Sequence, residues 1–290
     1  MQVYQILSAY APVIKKLFLI LILLFRFVQA QPWLDLAAFR YHRIASGDDS
    51  VYSETTWANG ELSMPVKIKE DVLIVNTYFE RYDFASGGGV YGVSVPIAYS
   101  KQLKNPDWKT AVSFIPRIHS DFKNISRDDY QIGGAVLFTK KKKDELKFKF
   151  GAYYNSEFFG FFMLPLAGID WNISSRLNLF GVLPNSMTLE FKLFPGKIHT
   201  GLAFKSITNS YRMDDGSYLT LRDNHLKAFA DAYFLKNIVI NAEGGHTVLR
   251  KYEAGIKAGG SNSETELADT NGFIFRMAVS YRLRLDQPGK

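Results

Sequence analysis

Residues 273–285 read FIFRMAVSYRLRL. One alternate set, Phe273, Phe275, Met277, Val279, Tyr281, Leu283 and Leu285, is apolar throughout. The other set, Ile274, Arg276, Ala278, Ser280, Arg282 and Arg284, carries all the charge. A period of two marks a β-strand with one apolar face. The run is longer than the roughly 5–6 residues usual in soluble strands. It is long enough to cross a bilayer when tilted, which takes about 9–11.

The same pattern recurs through the chain. Leu146, Phe148 and Phe150 alternate with Lys147 and Lys149, and Leu189, Phe191 and Leu193 alternate with Glu190 and Lys192. Leu202 and Phe204 face away from Lys205, Leu226 and Ala228 from Lys227 and Asp231, and Ile240 and Ala242 from Glu243. A soluble sandwich alternates too, but it turns its apolar side inward. An outer-membrane barrel does the reverse, with an apolar band toward lipid and a polar lumen. Segment length favours the barrel, as does an aromatic content of 15% with 23 Phe and 16 Tyr, often near segment ends as interfacial girdles require.

The expected fold is therefore all-β: an antiparallel transmembrane β-barrel of about 12–14 strands. On this reading Lys147, Lys149, Glu190, Lys192, Lys205, Lys227, Asp231, Glu243, Arg276, Arg282 and Arg284 line the lumen. Leu146, Phe148, Phe150, Leu189, Phe191, Leu193, Phe275, Met277, Val279, Tyr281 and Leu283 face lipid. The connections at 45–60 and 247–272 read as long outer loops, and those at 69–71 and 235–236 as tight turns on the other side. Pro65, Pro96, Pro116 and Pro165 fall inside the strand segments. Each lacks a ladder N–H and is expected to mark a bulge, a strand end or a shifted boundary.

The first thirty residues read as a cleaved signal peptide. Lys15 and Lys16 precede an unbroken apolar run at 17–25, and Val28-Gln29-Ala30 places a small residue before the cut. Nine helical residues rise only about 14 Å, half of the roughly 30 Å hydrocarbon core, so a spanning anchor is not expected. The barrel domain then occupies 31–290. Removing the leader takes three positive charges from a formal net charge of +7. The remainder is too mild to imply nucleic acid. Export makes outer-membrane lipid and the barrel-assembly machinery the expected partners.

Residues 168–193, GIDWNISSRLNLFGVLPNSMTLEFKL, resemble the middle of an uncharacterised family of Gram-negative outer-membrane β-barrel proteins. The elements that carry the likeness are Asp170-Trp171, Arg176-Leu177, Gly181-Val182-Leu183-Pro184 and Leu189-Glu190. The resemblance implies the fold and an outer-membrane location, and it supplies no catalytic residues.

Cysteine is absent, which excludes disulfides, thiolate metal sites and cysteine nucleophiles. His42, His119, His199, His225 and His246 lie in no metalloprotease or serine-hydrolase motif. His225, near Asp223, comes nearest to a catalytic grouping, beside an expected loop. No catalytic, cofactor or metal residues are assigned, and no cofactor is expected. The leading reading is a non-enzymatic barrel, either a salt-bridged structural one or a narrow channel for small polar solutes, mildly anion-preferring from its basic lumen set. The alternatives are an outer-membrane lipid-modifying or proteolytic enzyme and a secreted soluble β-protein with an apolar interior.

Overall fold

The structure, a computed structural model, describes residues 32–47, 51–85, 87–258 and 261–285. The expected leader, 1–30, lies outside the described residues. The chain opens with β1 (Trp33–Ser46), β2 (Glu54–Ile68) and β3 (Asp71–Phe84). Two short pieces, β4 (Gly89–Ser94) and β5 (Ile97–Gln102), follow, and then β6 (Trp108–Ser120), β7 (Tyr130–Lys143) and β8 (Leu146–Glu157). The second half holds β9 (Gly160–Asn172), β10 (Leu177–Leu183), β11 (Ser186–Phe194), β12 (Ile198–Arg212) and β13 (Ser217–Phe234). The chain ends with β14 (Ile238–Ala258), β15 (Ser261–Ala268) and β16 (Gly272–Arg284).

These strands close on themselves. β16 pairs with β1 from Trp33↔Arg284 to Ser46↔Gly272, and with β14 from Ile238↔Tyr281 to His246↔Phe273. Because β4 and β5 share one place between β3 and β6, and β15 only extends β14, the wall has 14 strands. Every wall pairing is antiparallel, as short hairpin connections dictate. Closure leaves no sheet edge running the height of the barrel, the condition for spanning a membrane with strands.

All four prolines sit where the ladder has a free side. The β1–β2 ladder stops at Ala37↔Leu62, so Pro65 has a neighbour only on β3. Pro96 makes the break between β4 and β5, and Pro116 faces that break, its carbonyl accepting from Val95 N at 3.1 Å. Pro165 pairs with β8, but the β9–β10 ladder has ended below it, at Leu183↔Ala167. A missing N–H costs least at such edges.

Both long connections are shorter than the sequence suggested. β1 runs to Ser46 and β2 begins at Glu54, so both ends of the expected loop at 45–60 are strand. β14 runs on to Ala258 and folds back as β15, so most of 247–272 is a hairpin. These strand ends lie beyond the apolar band, where neither face needs to be apolar, and periodicity therefore does not mark them. The turn at 235–236 is tight, as expected. Three residues, 235–237, join β13 to β14, and Leu235 and Lys236 both adopt positive φ, 49° and 68°.

Candidate functional site

The enclosed space inside the wall is the candidate site. Its side chains follow the pleat, which sends alternate residues inward. Phe148, Phe191 and Met277 are exposed on the outer surface, while Lys149 is only 4% exposed inside. Phe150, Leu193, Phe275 and Val279 are also exposed outside, and Leu146, Leu189, Tyr281 and Leu283 are half-buried there.

Along β11 to β14, β16, β1 and β2 the inward face is charged and paired. Glu190 on β11 accepts from Arg284 at 2.5 and 3.0 Å, from His199 at 2.7 Å and from Asn178 at 2.9 Å. Arg282 lies between Asp35 and Asp231, 2.6 Å from each. Glu243 holds Lys227 at 2.6 Å and Arg276 at 3.2 Å. Arg40 bridges Asp35 and Glu61 at 3.3 and 2.8 Å. Desolvating one ion costs several kcal/mol, so each enclosed charge needs its partner.

The structure thus joins Glu190 with Arg284, Asp231 with Arg282, and Glu243 with Lys227 and Arg276. It gives Lys149 a partner the sequence reading did not include, Asp170, at 2.6 Å. Lys147 faces Asp170 in the β8–β9 register, and Lys192 is half-buried on β11. Lys205 stands apart: its Nζ donates to Asn185 Oδ1 at 3.2 Å and has no carboxylate within ion-pair distance among the described residues. The interior also holds acids outside the sequence-derived set, Asp35, Glu61, Glu80, Glu157, Asp170 and Asp223, and cations outside it, Arg40, Arg117 and Arg250.

Both ends of the lumen are stopped. At the end where β1 begins, the Trp33 ring packs edge-on against Phe180, 4.8 Å between centroids, with Arg282 and Arg284 over it at 4.4 and 5.1 Å. At the far end the β12–β13 hairpin bends across the barrel until Arg212 bridges Ser120 of β6. Ile207, Tyr211, Leu219 and Leu221 of that hairpin form a buried cluster with Trp57, Tyr82, Phe84 and Tyr252. Two carboxylates pin it down. Glu80 accepts from Tyr211, Tyr78, Trp57 and Asn209 at 2.7–3.2 Å, and Glu157 pairs with Arg117 and accepts from Ser210.

Two cavities remain between these stoppers. The first, about 340 Å³, is lined by the charged half. The second, about 480 Å³, is lined mainly by Ala111, Ile115, Ala135, Leu137, Tyr153, Phe162, Leu164, Leu166 and Ile207. Trp57, Tyr78 and Lys205 border both.

The second cavity adjoins a break in the wall. The β9–β10 ladder ends at Leu183↔Ala167 and the β11–β12 ladder at Ser186↔Lys205. Above the short β10–β11 hairpin, residues 160–166 and 206–211 have no ladder partner on their facing sides. The opening is bridged at its top, where Phe158 N donates to Ser210 Oγ at 2.8 Å. The result is a window framed by β9, β12 and the turn at 184–185.

The histidines are held by other groups. His42 stacks on Trp57, centroids 4.1 Å apart, and His119 on Tyr211 at 4.8 Å. His225 lies in β13, not in a loop, 1% exposed and 3.4 Å from Asp223. His246 is exposed beside the Thr247 carbonyl. Among the described residues no Ser, Thr or Tyr hydroxyl is hydrogen-bonded to a histidine.

Comparison with known proteins gives one family and a set of similar shapes. The model of a domain of unknown function, DUF6268, matches residues 88–262, more than half of the chain. The solved structures include the NanC porin, 9% identical, covering 85% of this chain and 100% of that one, TM-score 0.46. An outer membrane channel from Pseudomonas putida F1 is 10% identical over 86% of this chain and 96% of its own, TM-score 0.41. The Pseudomonas putida toluene transporter TodX is 10% identical over 86% and 88%, TM-score 0.37. No curated protein matches.

Proposed function

The chain belongs to the DUF6268 family, and from that premise and the lumen's geometry we propose a non-enzymatic barrel of the bacterial outer membrane that passes small molecules through a narrow, gated interior. The observation that carries this reading is the pair of cavities, about 340 and 480 Å³, inside a barrel whose outer face is apolar on strand after strand. A solid structural barrel has no use for that space. Outer-membrane lipid would meet Phe148, Phe191 and Met277, and the barrel-assembly machinery would insert the chain.

Two measurements test it. The protein should stay with membranes in carbonate and should migrate differently on gels when unboiled; release without detergent would overturn the membrane reading. In planar bilayers the native barrel should give small, brief currents, because Trp33 blocks one end and the β12–β13 hairpin the other. Trp33→Ala should enlarge them. No current from either protein at any voltage would overturn the channel reading.

A further inference from the structure

The second cavity is the more apolar of the two, and the window's jambs, Phe162, Leu164, Ser206 and Thr208, line only that one. Ser206 and Thr208 lie on one alternate set of β12 and Ile207 on the other, yet all three border the 480 Å³ cavity. That cavity therefore reaches round the free edge of β12 into the opening. On the other jamb, the sequence FFMLPLA at 161–167 is apolar on both faces. Phe162, Leu164 and Leu166 look into the cavity, while Phe161 and Met163 are exposed on the outer surface. The window thus sits at the height of the apolar belt and not above it, so what it opens onto is hydrocarbon.

Its sill carries a cation. Lys205 is the last rung of the β11–β12 ladder, and its Nζ reaches Asn185 in the turn that floors the opening. Arg40, Arg117, Lys149, Lys227, Arg276, Arg282 and Arg284 each have a carboxylate within ion-pair distance; Lys205 has an amide oxygen. It also borders both cavities, so a group bound there has apolar walls on one side and the polar chamber on the other. Desolvation makes an enclosed cation without a partner carboxylate costly, and an incoming anion would relieve that cost.

We infer that this window is a lateral doorway between membrane and lumen, and that the cavity behind it binds a small single-chain amphiphile, its apolar body in the cavity and its carboxylate head on Lys205 and Asn185. The volume lies within the roughly 300–1,000 Å³ typical of small-molecule sites. With both axial routes stopped, a sideways entry also gives the gated barrel proposed above a way in, and the inference rests on that reading.

The test uses the full chain in lipid nanodiscs with Trp57, which borders the cavity, as the single tryptophan (Trp33→Phe, Trp108→Phe, Trp171→Phe). The probes are 10-bromodecanoate, whose bromine quenches on contact, and neutral 10-bromodecanol. Saturable quenching by the carboxylate is expected. Lys205→Met should weaken that binding about tenfold with little change for the alcohol, and Lys205→Arg should restore it. Because the chain lacks cysteine, Met163→Cys and Thr208→Cys can be joined by a bis-maleimide across the window. The tether should slow carboxylate entry at least about tenfold while leaving its equilibrium affinity near that of the untethered barrel.

Equal affinity in the native and Lys205→Met proteins, or entry unaffected by the tether, would overturn the proposal. Quenching by brominated bilayer phospholipid in place of the added carboxylate would assign the window to a bilayer lipid chain and would overturn it too. All these readings are made on barrels first shown to be heat-modifiable. A chain that fails that check defeats the barrel reading itself, whereas a heat-modifiable barrel with no saturable quenching defeats only this inference.

Discussion

Along β16, β1 and β2 the inward face reads Arg282, Asp35, Arg40 and Glu61, whereas along β6 to β9 it reads Ile115, Leu137, Tyr153 and Leu164. The two sides of one lumen solve the burial problem differently. In the charged half each ion must meet its partner in register, so one misplaced strand would strand several charges at once. That half fixes the barrel's geometry and has little freedom to move. The apolar stretch of β6 to β9 carries no such obligation between its two buried pairs, Arg117–Glu157 and Lys149–Asp170. Its side chains are compatible with lipid on one side and with an apolar ligand on the other, and there the wall can be cut short at the β10–β11 hairpin. The rigid side holds the shape; the permissive side has room for a guest.

Substitutions that remove one partner should separate the halves by size of effect. Glu190→Ala leaves Arg284 and His199 without their carboxylate and should cost about 3–5 kcal/mol. The measurement is urea-dependent folding into lipid vesicles, and a loss under about 1 kcal/mol would mean that water already solvates the pair. Leu164→Ala, beside a cavity that already exists, should cost about 2 kcal/mol, the low end of the range for core truncations. A loss as large as that of Glu190→Ala would show the apolar half to be a packed core. Arg43 and Glu54, an exposed pair at 3.0 Å on the outer surface near the β1–β2 loop, mark the floor of the scale. Arg43→Ala should change stability by about 0–1 kcal/mol, the least of the three.

Much of the barrel was legible because alternation within the apolar band is forced on every strand by lipid. Outside that band the constraint disappears. Residues 54–60, ETTWANG, continue β2 with no apolar stripe, and the upper part of β13 buries both faces where the β12–β13 hairpin folds over the lumen. The lumen's acids were hidden for a related reason. A bulge between Asp35 and Ala37 resets the pleat, so Asp35 points inward although strict alternation groups it with Phe39 and Tyr41. A second irregularity at Leu249, φ 54°, does the same below Arg250. Pro165 carries a local signal of the window: a proline inside a two-sided apolar segment marks the free edge of β9. The window itself depends on the heights of three neighbouring hairpins, a comparison that no single strand's periodicity contains.

The central claim is that alternate residues of these strands divide between hydrocarbon and an enclosed polar space. Nitroxide spin labels placed singly at 148, 191 and 277, and at 149, 192 and 276, in the vesicle-inserted barrel test it directly. The first three should be relaxed strongly by oxygen dissolved in the bilayer and hardly at all by a water-soluble nickel chelate. The second three should lose that oxygen effect. Nickel relaxation of positions 148, 191 and 277, with 149, 192 and 276 shielded or not, would contradict the account.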